Sequence, residues 1–354
     1  MRETDPRREV ASPGAPENRG GLQKVLAEKG RKFRWLSKRS WTSSGLDHWI
    51  RAVTPRIIEI STLKFKGKIP FLAAVLALAM GCAATPPAAS PAERLIFADE
   101  FDEGSLDRAK WNVVGPDFWV NEEEQAYIDS PQTIRLLPAG AVDGADGGVL
   151  VLQPHFSEGF ETPTGREADF VSGRINTKGK FDFTYGRAVA RIRLPDAIGV
   201  WPAFWLLGNG AWPETGEIDV MEYVGEADWV GVALHGPGYS GETPLVNKFF
   251  FADGTDVTDW HEYEVNWTAN SILFKVDGRL IYRVTRPMVE HYAPWRFDSP
   301  EHLILNFAVG GVYPFKTNGI EQPYKGLPQE TVERIQRGEI AMEVDWVRVY
   351  QSTP

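Results

Sequence analysis

The run Gly216-Glu217-Ile218-Asp219-Val220-Met221-Glu222-Tyr223-Val224-Gly225 decides how this chain folds. It sets three carboxylates among apolar side chains. Glu217, Ile218, Asp219 and Val220 alternate acid and apolar, the period of a strand with one face toward water or substrate and the other toward a core. Glu217 and Asp219 therefore point the same way. Strict alternation would send Glu222 into the core, where an unpaired carboxylate costs several kcal/mol. A β-bulge at Val220-Met221 inserts one residue and returns Glu222 to the acidic face. The Cα atoms of Glu217 and Glu222 then lie roughly 13 Å apart, at about 3.3 Å per residue. Side chains leaning toward each other bring the carboxyl groups to roughly 5–7 Å. That range spans the spacing of retaining glycosidases and the lower edge of the inverting range. Crowding three acids on one face also forces their pKa values apart, as an acid/nucleophile pair requires. The competing explanation is an edge strand with a solvated acidic face.

The 354 residues suffice for one large or two medium domains. The 13 Trp are many, and Trp is a natural platform for the apolar faces of sugar rings. The formal net charge of −10 is unevenly spread: residues 1–68 carry +9 and the remainder −19. So acidic a body argues against nucleic acid as partner and, more weakly, against strongly sulfated polymers as substrate. A single cysteine, Cys82, allows no intramolecular disulfide. There is neither a Cys/His cluster at zinc spacing nor a Gly-rich phosphate loop.

Four stretches organise the chain. Residues 1–62 show no core-like periodicity. Residues 63–82 hold Lys64-Phe65-Lys66-Gly67-Lys68, the apolar run Ile69–Gly81, and Cys82. This reads as a secretory signal, too short to span a membrane. Ala79-Met80-Gly81-Cys82 resembles a bacterial lipobox with Leu78 one place early, so Cys82 is the expected lipid anchor and the protein an exported lipoprotein. No methionine lies between Met1 and Met80, so a non-Met start near Leu63 with an over-extended upstream segment is expected, the alternative being an unusually long cytoplasmic n-region. Residues 83–94 are a Pro/Ala tether. From 95 to 351, short alternating or apolar runs recur between turn signals: Gly148–Pro154, Val171–Thr177, Gly186–Leu194, Val200–Leu207, Trp229–His235, His261–Thr268, Ile272–Val276, His302–Val309 and Ala341–Tyr350. Thr268-Ala269-Asn270-Ser271 and Val276-Asp277-Gly278-Arg279 sit at hairpin positions. Gln329–Arg337 is the one helical candidate. The pattern predicts an all-β sandwich or jelly roll.

From about Phe97 to Gln351 the chain resembles glycoside hydrolase family 16, in particular its laminarinase-like endo-β-1,3-glucanases. Glu217-Ile218-Asp219-Val220-Met221-Glu222 matches the family's bulged catalytic strand. Further matches follow in chain order: Asp99-Glu100-Phe101-Asp102, Ser172-Gly173-Arg174-Ile175, Gly199 to Gly208, Leu234 to Gly241, Leu305 to Gly311, and Val344 to Tyr350.

The resemblance implies a two-sheet antiparallel β-jelly-roll sandwich of the concanavalin A-like kind, with a concave sheet forming an open cleft. It implies Glu217 as nucleophile, Glu222 as general acid/base, and Asp219 hydrogen-bonded to the nucleophile. Trp201, Trp205 and Trp212 would line the cleft, and Asn121, Arg174, His235 and Asn306 would contact sugar hydroxyls. The family's Asn-Asn-Glu-Leu-Gln segment reads Asn121-Glu122-Glu123-Glu124-Gln125 here, with two positions changed. A structural calcium is implied at Asp345, with backbone carbonyls near Glu100 and Gly148, since oxygen ligands suit a hard cation. Catalysis would need no cofactor. The expected partner is a β-glucan, with membrane contact only through the lipid anchor, and the chain is expected to be a monomer. The rivals are an agar- or galactan-type hydrolase, a transglycosylase, and a non-catalytic lectin-like glycan-binding module on the same fold.

Overall fold

The computed structural model describes residues 93–352. The upstream segment 1–62, the signal-like block 63–82 with Cys82, and the tether up to residue 92 lie outside the described residues. Glu93 and Arg94, expected at the end of the tether, instead open the first strand and pair with Ser352 and Gln351.

In chain order the elements are β1 (Glu93–Asp99), β2 (Asn112–Val113), β3 (Gln125–Tyr127), β4 (Ile134–Leu137), β5 (Val149–Leu152), β6 (His155–Glu161), β7 (Glu167–Ser172) and β8 (Arg174–Asn176). Then come β9 (Gly186–Arg193), β10 (Val200–Gly208), β11 (Glu217–Glu222), β12 (Trp229–His235), β13 (Leu245–Phe250), β14 (His261–Trp267), β15 (Ser271–Val276) and β16 (Arg279–Thr285). The chain closes with α1 (Arg286–Glu290), β17 (Glu301–Val309), α2 (Val312–Asn318), α3 (Gln329–Gln336) and β18 (Met342–Ser352).

Two large sheets face each other. One has seven strands in the order β13-β12-β11-β10-β17-β8-β2; the other runs β16-β15-β14-β9-β18-β5-β4, with β1 also on β18. All pairs in both sheets are antiparallel, the expected sandwich. A third small sheet, β3-β7-β6, carries the one parallel pair. The core lies between the large sheets, where Phe204, Leu206, Ile218, Leu303, Leu305 and Phe307 of the first meet Ala188, Ala190, Val265, Val347 and Val349 of the second.

Local chemistry explains the joints. Asp277 and Gly278 both take positive φ, 49° and 74°, the backbone a two-residue type I′ hairpin requires between β15 and β16. The run Val171–Thr177, expected as one strand, is two. Gly173 divides it: a Cβ there would sit 2.6 Å from Thr133 O, so the backbone passes where no side chain fits. β7 joins the small sheet and β8 the seven-stranded one.

At the expected calcium position the Asp345 carboxylate has partners within the chain. Asp345 is buried, and its carboxylate is engaged by Arg191 and by the amides of Asp146 (3.0 Å) and Gly147 (3.3 Å). N–H donors aimed at a carboxylate take the lone pairs a cation would need, and the guanidinium supplies the positive charge itself. Glu100 is likewise held by Arg348, at 2.8 and 2.7 Å. The amide of Gly148 donates to Asp102 at 2.7 Å. The Asp345 and Glu100 side chains thus form arginine–carboxylate pairs.

Candidate active site

The bulge expected at Val220-Met221 is present. Asp219 lies opposite Trp205 of β10 and Met221 opposite Phe204, leaving Val220 as the extra residue. On the other side Asp219 pairs with Ala233 and Glu222 with Gly231, so two residues of β11 oppose one of β12. Ile218, Val220 and Met221 all enter the core. Glu217, Asp219 and Glu222 are thereby left on the outer face of the seven-stranded sheet.

His235 stands opposite Glu217 in the register. Its Nε2 lies 3.7 Å from Glu217 Oε1 and 3.2 Å from Asp219 Oδ2, while its Nδ1 accepts from the Gly241 amide at 3.3 Å. Trp201 Nε1 donates to Glu222 Oε1 at 3.0 Å. Asp219 Oδ2 is buried and faces His235 Nε2, and one ligand atom each of Glu217, Asp219 and His235 lies within 4.8 Å of the others. No Lys or Arg pairs with the three acids among the described residues. Burial therefore dominates, pushing Glu217, Asp219 and Glu222 each up to about 8. The charge on Asp219 adds to the rise at both glutamates, and His235 opposes it. The three titrate as one set, in which charge on Asp219 disfavours ionisation of both glutamates.

The expected sugar-contacting residues gather around this face. Trp205 Nε1 donates to Asn306 Oδ1 at 2.7 Å, and Asn306 donates to the Tyr127 hydroxyl at 3.2 Å. The Arg174 guanidinium lies 4.2 Å from the Phe118 ring and 4.8 Å from the Trp205 ring, a cation–π sandwich. Trp212 is 50% exposed, with its ring 6.1 Å from that of His235. Asn121 takes a left-handed backbone, φ 56°, and donates to Glu123 Oε1 at 3.3 Å.

Two acids escaped sequence reasoning. Glu123 is buried and accepts from Gln125 at 2.7 Å and Tyr127 at 3.3 Å, which links the Asn121 loop to Asn306. In the sequence it sits in a run of three glutamates, and only Asn121 of that segment was given a role. Glu301 opens β17 and is 0% exposed, with neither carboxylate oxygen hydrogen-bonded. Its Oε1 lies 3.4 Å from where a Gly216 Cβ would sit, beneath the start of the acidic strand. Burial holds Glu301 well above the usual carboxylate range, and Glu217 and Asp219 add to it. A Glu next to Pro300 at a strand start gave no signal of this.

Two carboxyl groups flanking an open face, one bonded to an indole and one beside an imidazole, can divide acid and nucleophile roles in acyl or glycosyl transfer. Comparisons decide between these. The family model for glycosyl hydrolases family 16 matches residues 150–323. A β-glucanase of Rhodothermus marinus is 35% identical over 306 residues, covering 82% of this chain and 97% of the relative. Glucan endo-1,3-beta-glucosidase A1 of Niallia circulans is 33% identical, covering 73% of this chain and 38% of that one. Among solved structures, the laminarinase catalytic domain of Thermotoga maritima superposes with a TM-score of 0.62 at 30% identity, covering 74% of this chain and 99% of that one. The fold, the bulged acidic strand and these likenesses agree: the chain belongs to glycoside hydrolase family 16 and is a glycoside hydrolase.

Proposed function

We propose that the protein is a retaining endo-β-1,3-glucanase of the laminarinase type. The observation that carries it is the bulge at Val220-Met221, which turns Glu217 and Glu222 to one open face with Asp219 between them. Glu222, whose proton burial and neighbouring charge retain, protonates the leaving glycosidic oxygen. Glu217 attacks the anomeric carbon, and water then resolves the glycosyl-enzyme with Glu222 as base. Asp219 tunes the pair: when ionised, it disfavours loss of the Glu222 proton. Trp201 orients the Glu222 carboxyl. No step calls on a metal. Laminarin-type glucan is favoured by the relatives named for β-1,3-glucan and by the acidic body. The presence of all three acids weighs against a purely lectin-like role.

Product analysis on laminarin, lichenan, agarose and carrageenan tests the proposal. Internal cleavage of laminarin to short oligosaccharides should exceed activity on the two galactans; the reverse order would transfer the protein to the galactan hydrolases. We further infer export and lipid attachment at Cys82, from the apolar run before it and the Pro/Ala tether after it. Cys82→Ala should release the enzyme from membranes, and a variant that still sediments with them contradicts the anchor.

A further inference from the structure

The acid-bearing face does not end at His235. Through the register of β11 with β12, the residues level with the acids are His235, Ala233 and Gly231. Through β12 with β13, the face continues from Ala233 to Val246, from Gly231 to Lys248, and from Trp229 to Phe250. Val246, Lys248 and Phe250 thus carry the catalytic face onto the outermost strand, two strands and about 10 Å from the acids. Burial agrees with the register: these three are exposed, while Leu245, Asn247 and Phe249 are half-buried. Val246 is 56% and Phe250 59% exposed. Large exposed apolar residues on an edge strand are a liability unless something uses them.

A line of aromatic groups connects this strand to the chemistry. Trp201, bonded to Glu222, meets the Tyr313 ring edge-on at 5.3 Å. A Cβ on Gly231 would lie 3.4 Å from the Tyr313 hydroxyl and 3.6 Å from the Trp229 ring. Lys248 Nζ lies 3.4 Å from the centroid of the Trp229 ring. Between the acids and β13 the floor is Gly231 and Ala233, the smallest side chains available. The edge is also fixed, because Asn247 Nδ2 donates to Ile281 O at 2.8 Å on β16 of the other sheet. Gly231 and Ala233 are themselves buried, so what runs from the acids is the line of Trp201, Tyr313 and Trp229, ending on an exposed apolar strip with one ammonium.

We propose that Val246, Lys248 and Phe250 form a distal sugar-binding subsite that holds the same β-glucan chain two strands away from the bond being cut. The apolar face of a sugar ring stacks on Phe250 and Val246, and the Lys248 ammonium donates to ring hydroxyls. The occupant is a continuation of the substrate because the strip lies on the face that bears the acids and is joined to them by the aromatic line. This deepens the β-glucanase function proposed above and rests on it.

The test is kcat/KM over a graded series of laminari-oligosaccharides up to laminarin, for the wild type, Phe250→Ala and Lys248→Ala. In the wild type, efficiency climbs with chain length until the distal subsite is filled. Each variant should lose the last step of that climb, narrowing the preference for long over short chains about 3- to 10-fold, through KM rather than kcat. Wild-type chain-length profiles in both variants, with laminarin cleaved normally, overturn the subsite and leave the β-glucanase assignment standing. A wild type that does not cleave laminarin at all overturns that assignment and the subsite with it.

Discussion

Two bulged strands on opposite sheets each bury an aspartate, and they treat it in opposite ways. In β18 the extra residue opposite β9 is Asp345, 1% exposed, and Arg191 with two backbone amides satisfies it. In β11 the bulge turns Asp219, 4% exposed, toward two glutamates and a histidine, and gives it no arginine. The neighbours follow the same division. Glu343 and Glu264 of the sheet that holds β18 pair with Arg193 and Lys275, at 2.5 and 2.6 Å, whereas Glu217, Glu222 and Glu301 have no such partner among the described residues. Burial alone therefore does not mark a catalytic acid. Withholding the cation keeps protons on to near-neutral pH, and the three acids of β11 add to that a place on the open face.

Breaking each side in turn should give opposite phenotypes. Glu217→Ala should lower hydrolysis by at least about 10³-fold while leaving the melting temperature unchanged or raised, since it removes a charge from a crowded buried set. Added azide should then give an inverted α-azide from an activated β-donor. Glu222→Ala should instead give a β-azide with a leaving group that needs no protonation. Loss of folding in either variant would show these acids to be structural, as Asp345 is.

On the other sheet, Arg191→Met should cost about 3–5 kcal/mol of stability by leaving Asp345 buried and unpaired. The melting temperature should fall, while kcat on laminarin below that temperature stays near wild type. Chelator and added calcium should not move the wild-type melting curve; a calcium-dependent rise would contradict the arginine-held reading of Asp345.

Asp219→Asn sharpens the comparison with a smaller effect. Removing the charge should slow hydrolysis about 10- to 100-fold, less than loss of either glutamate. Activity needs the Glu222 proton, so the wild-type rate should fall as pH rises through about 8. Without the Asp219 charge that proton leaves more easily, and this alkaline limb should move to lower pH. A limb that stays in place would remove Asp219 from the tuning of Glu222.

The smallest expected effect is a gain. Glu301 keeps its proton in the folded protein to well above its ordinary pKa. Folding therefore binds a proton, and the stability present below about pH 4.5 is lost progressively as pH rises toward the folded pKa, by about 1.4 kcal/mol per unit. Glu301→Gln has no proton to lose, so its melting temperature should exceed wild type by a margin that widens between pH 5 and pH 8. A margin independent of pH would mean that Glu301 is paired after all.

The sequence carried one side of this comparison better than the other. The bulge was legible because the parity of Glu217, Asp219 and Glu222 admits no regular strand that keeps all three out of the core. Motif matches then identified Trp201, Trp205, Arg174 and Asn306, which the fold brings together. The Asp345–Arg191 pair was not legible because the two lie 154 residues apart, and nothing local reveals a pairing across β9 and β18. Glu301 was invisible for a related reason: its orphan state depends on what three separate segments fail to offer. β13 was missed although Leu245–Phe250 alternates in burial, because aromatics at Phe249 and Phe250 blur the alternation in sequence.

The most direct test is the anomer first released when the purified enzyme cuts laminarin, observed by proton NMR on fresh product before mutarotation. Glu217 as nucleophile and Glu222 as acid/base, set on one face by the bulge, predict the β-anomer, with configuration retained. An α-anomer would mean single displacement with a carboxylate pair spaced for an intervening water, and would contradict the roles assigned to both glutamates.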